Sequence, residues 1–163
     1  MKALRVGLAS LIVMALVPAA AAAGAEQGST AVCTGTWKVD FSPGITGTVQ
    51  RSRFTTAPSV LTCIGRVRGH EVTGPGSFTQ EGTTEGTLLT GSGGGREWLR
   101  VPTTGGEQTV SFTYTLEYGP GLGLKFGDSL AGPYTFVFAP SRGDGVLAPV
   151  TQIAATGWFV LES

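Results

Sequence analysis

Residues 108–118 read QTVSFTYTLEY, and this stretch indicates the fold class more clearly than any other part of the chain. From Val110 to Tyr118 an apolar or aromatic side chain occupies every second position, and a hydroxyl or carboxylate side chain fills each position between. Successive side chains of a β-strand point to opposite faces of its sheet, so this period of two predicts a strand with one buried and one solvated face.

The same alternation extends through much of the remaining sequence. Cys33, Trp37 and Val39 share one face of the first clear segment, and Cys63 lies in an alternating segment at 59–68. Outside the N-terminal stretch no segment shows the 3.6-residue period of a helix. We therefore predict an all-β chain, an antiparallel β-sandwich of about nine short strands, with a small β-barrel as the alternative. Further strands are expected at 48–55, 77–80, 84–90, 133–139 and 151–161.

The N-terminal stretch has the pattern of an export signal. Lys2 and Arg5 form a basic region, residues 8–17 are apolar but too short to span a bilayer, and alanines at small-residue cleavage positions follow up to Ala25. We predict a signal peptide at 1–25 and a single domain at 26–163, secreted to the cell exterior. No second long apolar run follows, so no membrane span is expected.

Charge and cysteine content narrow the functional classes. Without Lys2 and Arg5 the chain keeps 9 basic against 11 acidic residues, a net charge of about −2, which does not favour nucleic acid as a partner. Cys33 and Cys63 are the two cysteines of the chain, and in an exported protein such a pair predicts a disulfide bond.

No catalytic residue is assigned. Residues 127–130 spell Gly-Asp-Ser-Leu, the nucleophile block of a lipase and esterase family, but the single histidine, His70, precedes it and the chain has no asparagine for an oxyanion hole. No metal-ligand spacing or phosphate-loop pattern occurs, so neither a metal nor a cofactor is expected. An enzymatic role is therefore not favoured.

Two glycine-rich tracts are predicted to form loops. Residues 91–95, GSGGG, read as a flexible loop, and 119–128 as a second one. Loops held by a rigid sheet are frequent binding surfaces, and Arg and Trp are favoured at interfaces. We therefore interpret the regions 91–106 and 119–128 as candidate binding loops, with Arg96, Trp98 and Arg100 as the anchors of the first.

A family resemblance supports the same compartment. Residues 33–36, CTGT, and 41–46, FSPGIT, followed by a second cysteine about 30 residues after the first, resemble a group of small secreted β-rich proteins of actinobacteria. The resemblance implies export and a β-rich fold. It transfers no functional residue.

Three functions remain open at this point. The leading one is a secreted, non-enzymatic protein that binds an extracellular protein, glycan or small ligand, or that forms part of the cell exterior. The second is a small-molecule-binding or cyclase-like barrel with an apolar pocket lined by Tyr114, Tyr134 and Phe136; a cavity of roughly 300 Å³ or more would favour it. The third is a secreted protease inhibitor.

Overall fold

The computed structural model describes residues 30–127, 134–145 and 147–162. The predicted signal peptide, 1–25, and residues 128–130 of the Gly-Asp-Ser-Leu block lie outside this part of the chain. Within it the regular structure is β throughout, which confirms the all-β antiparallel prediction. The strands are β1 Thr30–Ile45, β2 Gln50–Thr56, β3 Ser59–Val67, β4 His70–Glu71, β5 Gly76–Gly86, β6 Gly91–Thr103, β7 Gly106–Gly119, β8 Leu122–Gly127, β9 Tyr134–Arg142 and β10 Val150–Glu162.

The strands form one sheet that closes on itself. From β5 to β10 each strand pairs antiparallel with the next along the chain, and β10 pairs with β1 from Thr30↔Glu162 to Asp40↔Gln152. Strands β2 and β3 lie end to end between β1 and β5, each pairing with both neighbours. Counting β2 and β3 as one position and leaving the two-residue β4 aside, eight strands make a ring.

The core lies inside this ring, and the alternation seen in the sequence sets it. Along β7 the side chains from Val110 to Leu116 alternate between buried and exposed, as predicted, and Tyr118 is half-buried. On β1, Trp37 and Val39 are buried; the Trp37 ring meets the Phe78 ring edge-on, with centroids 5.2 Å apart. Burial of these aromatic and aliphatic side chains is the main stabilising contribution.

The predicted disulfide is present and joins neighbouring strands. Cys33 on β1 lies opposite Cys63 on β3 in the antiparallel register, and the two sulfur atoms are bonded. Both side chains are buried. Such a bond is consistent with an extracellular location, because disulfides persist in oxidising compartments. Among the described residues we find no helix whose length and hydropathy would let it cross a membrane.

Two expectations about loops and strand breaks are wrong. Residues 91–95 are the first residues of β6 and not a flexible loop, and most of 119–128 belongs to β8. The segment expected at 77–80 and residues 84–86 of the segment expected at 84–90 belong to one continuous strand, β5, which runs through Gly82, and residues 87–90 lie outside any strand. The physical reason is close backbone approach: a Cβ atom on Gly93 would lie 2.1 Å from the carbonyl oxygen of Thr83. Glycine occurs there because a side chain would separate β5 from β6.

Candidate functional site

The residues expected in a binding loop lie instead on the outward face of strand β6. Arg96 and Arg100 are exposed and Trp98 is half-exposed, while the intervening Glu97 and Leu99 are buried. Because side chains two positions apart share a face, Arg96, Trp98 and Arg100 form one row along the strand. The structure brings the three together on a strand of the sheet and not on the loop expected from the sequence.

Hydroxyl side chains and a carboxylate of the neighbouring strands surround this row. Trp98 lies between Thr79 of β5 and Ser111 of β7 in the register of the sheet. Arg100 lies between Ser77 and Thr109, and Arg96 lies between Glu81 and Thr113. We call this outward surface of β5, β6 and β7 the Trp98 face. It combines one large aromatic ring with many hydrogen-bonding groups.

Three shallow grooves follow the Trp98 face along β6. The first, about 280 Å³, is lined by Trp98 and Arg100; the second, about 360 Å³, by Arg53, Glu81 and Arg96. The third, about 590 Å³, contains Glu85 and Glu117 among its lining residues. All three are open to solvent, so the face can accept an extended ligand along its length.

The arginines of this face have no partner within the part of the chain that the structure describes. Neither Arg96 nor Arg100 makes an ion pair or a side-chain hydrogen bond there, although the glutamates on the neighbouring strands are near in register. A guanidinium group offers five N–H donors in a planar fork that matches a carboxylate or phosphate.

A polar cluster inside the ring was not anticipated from the sequence. Lys125 on β8 donates through Nζ to Glu97 Oε1 and to Gln80 Oε1, and Tyr114 Oη donates to the same Gln80 oxygen over 3.0 Å. Lys125 Nζ also lies 4.2 Å from the centre of the Tyr114 ring, a cation–π contact. Lys125, Glu97, Gln80 and Tyr114 are all buried.

Burial controls the protonation of this cluster. Desolvation lowers the pKa of the Lys125 ammonium, and the adjacent Glu97 carboxylate opposes that fall. Desolvation also raises the pKa of the Tyr114 phenol far above its usual range, and the negative charge of Glu97 adds to the rise. Tyr114 therefore remains a neutral donor at any physiological pH. These four side chains are buried and hydrogen-bond to one another. The cluster is therefore a polar part of the core.

Among the described residues, an apolar cavity with a volume of about 40 Å³ lies between core side chains that include Leu116, Phe136 and Phe138. Tyr114 and Phe136, two of the expected pocket residues, are buried side chains of the filled core. The side chain of Tyr134, the third, lies outside the described residues.

Comparison with known proteins adds no assignment. The chain matches no protein-family model, no curated protein and no solved structure.

Proposed function

We propose that this protein is exported and binds a carboxylate-bearing glycan at the cell exterior through the Trp98 face, without catalysis. The observation that carries the proposal is the outward row of Arg96, Trp98 and Arg100, whose guanidinium groups have no partner among the described residues. The core disulfide Cys33–Cys63 supports export, since it suits an oxidising compartment.

The chemistry of the face fits a charged sugar chain. The apolar face of a sugar ring can pack on the half-exposed indole of Trp98, much as other amphipathic surfaces pack on aromatic side chains. Arg96 and Arg100, on either side of it, can each bind a carboxylate through two parallel N–H donors. Thr79 and Ser111 flank the indole in register and supply hydroxyl groups for sugar hydroxyls. The two open grooves that contain Arg100 and Arg96 provide for a ligand several units long.

The size of the interior favours this surface over an enclosed pocket. A pocket for a drug-sized molecule has a volume of roughly 300–1,000 Å³, whereas the interior cavity has about 40 Å³. A small-molecule or cyclase-like function would have to displace core side chains such as Phe136. The geometry therefore supports binding on the outside of the ring.

A protease-inhibitor function receives less support. It would use a protruding loop held by a disulfide, and Cys33 and Cys63 instead join two paired strands within the core. The row of Arg96, Trp98 and Arg100 lies on strand β6, where the backbone is already paired on both sides. Such a strand cannot extend into the cleft of a protease.

The test is a titration of the disulfide-bonded chain 26–163 with a hexamer of galacturonate and, separately, with a neutral glucose hexamer. We expect tighter binding of the charged hexamer, and at least a tenfold loss of that affinity in Trp98→Ala. The double variant R96Q/R100Q should bind the two hexamers with similar affinity, because the charge recognition is removed while the indole remains.

The matched control is Trp158→Ala, which removes an exposed tryptophan on β10 and should leave binding unchanged. Circular dichroism confirms that each variant is folded. Equal affinities of Trp98→Ala and the unmodified chain, or no binding of the charged hexamer at millimolar concentration, would overturn the proposal.

A further inference from the structure

The polar cluster inside the ring brings an amine, a carboxamide and a carboxylate into direct contact. Lys125 Nζ contacts Gln80 Oε1 and Glu97 Oε1 at the same time, and Gln80 and Glu97 lie opposite each other in the register of β5 and β6. Gln80 is 4% exposed, and Lys125 and Glu97 are each 2% exposed. An amine nucleophile, a carbonyl carbon and a group that carries protons are the components of an acyl transfer.

The amine lies close to the carbon that it would attack. Lys125 Nζ contacts Gln80 Oε1, and a carbonyl oxygen is bonded to its carbon over about 1.2 Å. Nζ is therefore within roughly 4 Å of Gln80 Cδ, close to the 3–3.5 Å of a near-attack geometry. The rings of Tyr114 and Phe136 flank Nζ, with centroids 4.2 Å and 5.6 Å away, and restrict its movement. Folding thus brings two residues 45 positions apart to reacting range.

The Tyr114 hydroxyl is placed to activate the Gln80 carbonyl. Tyr114 Oη donates to Gln80 Oε1 over 3.0 Å. A donor at this oxygen stabilises the negative charge that develops there when a nucleophile adds to the carbon. Because burial raises the pKa of the Tyr114 phenol, the hydroxyl keeps the proton that it donates. Tyr114 therefore occupies the position of an oxyanion-hole donor.

Burial also favours the reactive form of the amine. Desolvation lowers the pKa of the Lys125 ammonium, although the Glu97 carboxylate opposes the fall, and Glu97 Oε1 is in contact to accept its proton. Proton transfer converts a buried ion pair into a neutral amine and a neutral acid, and an interior of low polarity favours neutral groups. The amine then has a free lone pair.

We propose that Lys125 and Gln80 form an amide bond with each other inside the folded chain and release ammonia. Nζ bonds to Gln80 Cδ, and the electron pair that moves to Oε1 returns when the bond from Cδ to Nε2 breaks. Glu97 transfers the first proton of the Lys125 ammonium to the departing Nε2 and accepts the second from Nζ. The products are a secondary amide, ammonia and the neutral acid of Glu97, so that atoms and charge balance without a co-reactant.

The bond would join strands that are not neighbours. Strands β5 and β8 are three positions apart in the sheet, so a link from Gln80 to Lys125 spans β6 and β7 across the interior. The disulfide Cys33–Cys63 joins β1 to β3 in another part of the ring. Since the link forms on the inward face, it is independent of the ligand proposed for the Trp98 face.

Mass spectrometry of the disulfide-bonded chain 26–163 tests the proposal. We expect a mass lower than that of the sequence by one ammonia, in addition to the two hydrogens lost in the disulfide. Trypsin does not cleave after an amidated lysine, so peptide 101–142 should remain uncut at Lys125 and be joined to peptide 69–96, which contains Gln80. The structure described above is then the state before the bond forms.

Two variants locate the chemistry. Glu97→Gln should remain unlinked, because the loss of a general acid–base slows a reaction by roughly 10²–10⁴-fold. Lys38→Arg is the matched control: it replaces the other lysine of the chain 26–163, which is exposed, and should be fully linked. Circular dichroism confirms that each variant is folded. The mass of the unmodified chain decides the proposal even if Glu97→Gln fails to fold.

Four results would overturn the proposal. One is the unreduced sequence mass, with Lys125 cleaved by trypsin as a free lysine. A second is loss of water in place of ammonia, since the amine would then have joined the Glu97 carboxyl group. A third is loss of ammonia with normal cleavage at Lys125, which would place the reaction elsewhere in the chain. The fourth is a link that forms as completely in folded Glu97→Gln, because Glu97 would then carry no proton in the reaction.

Discussion

Lys125 and Glu97 form an ion pair in the interior of the ring, and each side chain is 3% exposed. They come from β8 and β6, the two neighbours of β7, and Tyr114 of β7 lies between those strands. The pair thus links three adjacent strands from the inside. An ion pair at this depth is strongly coupled, because each charge depends on the other for compensation.

Removing one partner of this pair should destabilise the fold severely. Glu97→Gln leaves the Lys125 ammonium buried without a counter-charge, and we expect a loss of about 3–5 kcal/mol in the free energy of unfolding. Lys125→Met should cost a similar amount. The double variant E97Q/K125M should cost clearly less than the sum of the two single variants. Urea unfolding at pH 7 measures all three, and additive losses would contradict the coupling.

Alkaline pH should destabilise the fold through Tyr114. Its pKa is raised in the folded state, whereas in the unfolded chain it is near 10. Above pH ~10 the folded state therefore retains a proton that the unfolded state loses, and stability falls by up to about 1.4 kcal/mol per pH unit. Below pH ~10 the stabilising contribution of the protonated Tyr114 phenol is fully present. Tyr114→Phe should show a shallower decline between pH 9.5 and 11; an unchanged slope relative to the unmodified chain would contradict the assignment.

The disulfide should contribute several kilocalories per mole. Cys33 and Cys63 close a loop with a sequence separation of 30, for which loss of chain entropy in the unfolded state gives about 3–4 kcal/mol. The double variant C33A/C63A should lose that amount in chemical unfolding under oxidising conditions. Under reducing conditions the unmodified chain should become comparably unstable, which provides the internal control.

The glycine tract should tolerate no side chain where β5 and β6 approach closely. Gly93→Ala would place its Cβ atom 2.1 Å from the Thr83 carbonyl oxygen, and we expect a loss of at least about 2 kcal/mol. Gly119→Ala is the control, since a Cβ atom there meets nothing within 4 Å. Thermal unfolding compares the two, and equal melting temperatures would show that the strands can separate without cost.

The sequence predicts the strands whose two faces differ clearly. The alternation around Phe112 and around Trp37 gave both the strands and their buried faces correctly, because hydrophobic burial is the dominant signal there. The glycine tract at 91–95 was misinterpreted. Glycine is typical both of flexible loops and of strands in close contact, and the difference depends on a neighbour, β5, that the local sequence does not specify.

The candidate-site residues also differ in whether the sequence alone could place them together. The common face of Arg96, Trp98 and Arg100 follows from their spacing once β6 is a strand. The partnership of Lys125 with Glu97 does not, because it requires the pairing of β6, β7 and β8. Hydrophobicity alone would also direct Leu122 and Leu124 of β8 inward, whereas packing of Phe136 against Gly123 directs them outward.

Because β1 pairs with β10, the sheet can close only after both the first and the last of the described strands have been synthesised. Thr30 lies opposite Glu162, so the first described strand has no partner on one side until the last one has been synthesised. An incomplete chain therefore has two unpaired strand edges and lacks the long-range contacts of the closed ring. A chain emerging from a ribosome or a translocation channel can complete its native hydrogen bonding only after residue 162 has been released, so closure of the ring comes after the pairing of the strands that lie between β1 and β10 in the sequence.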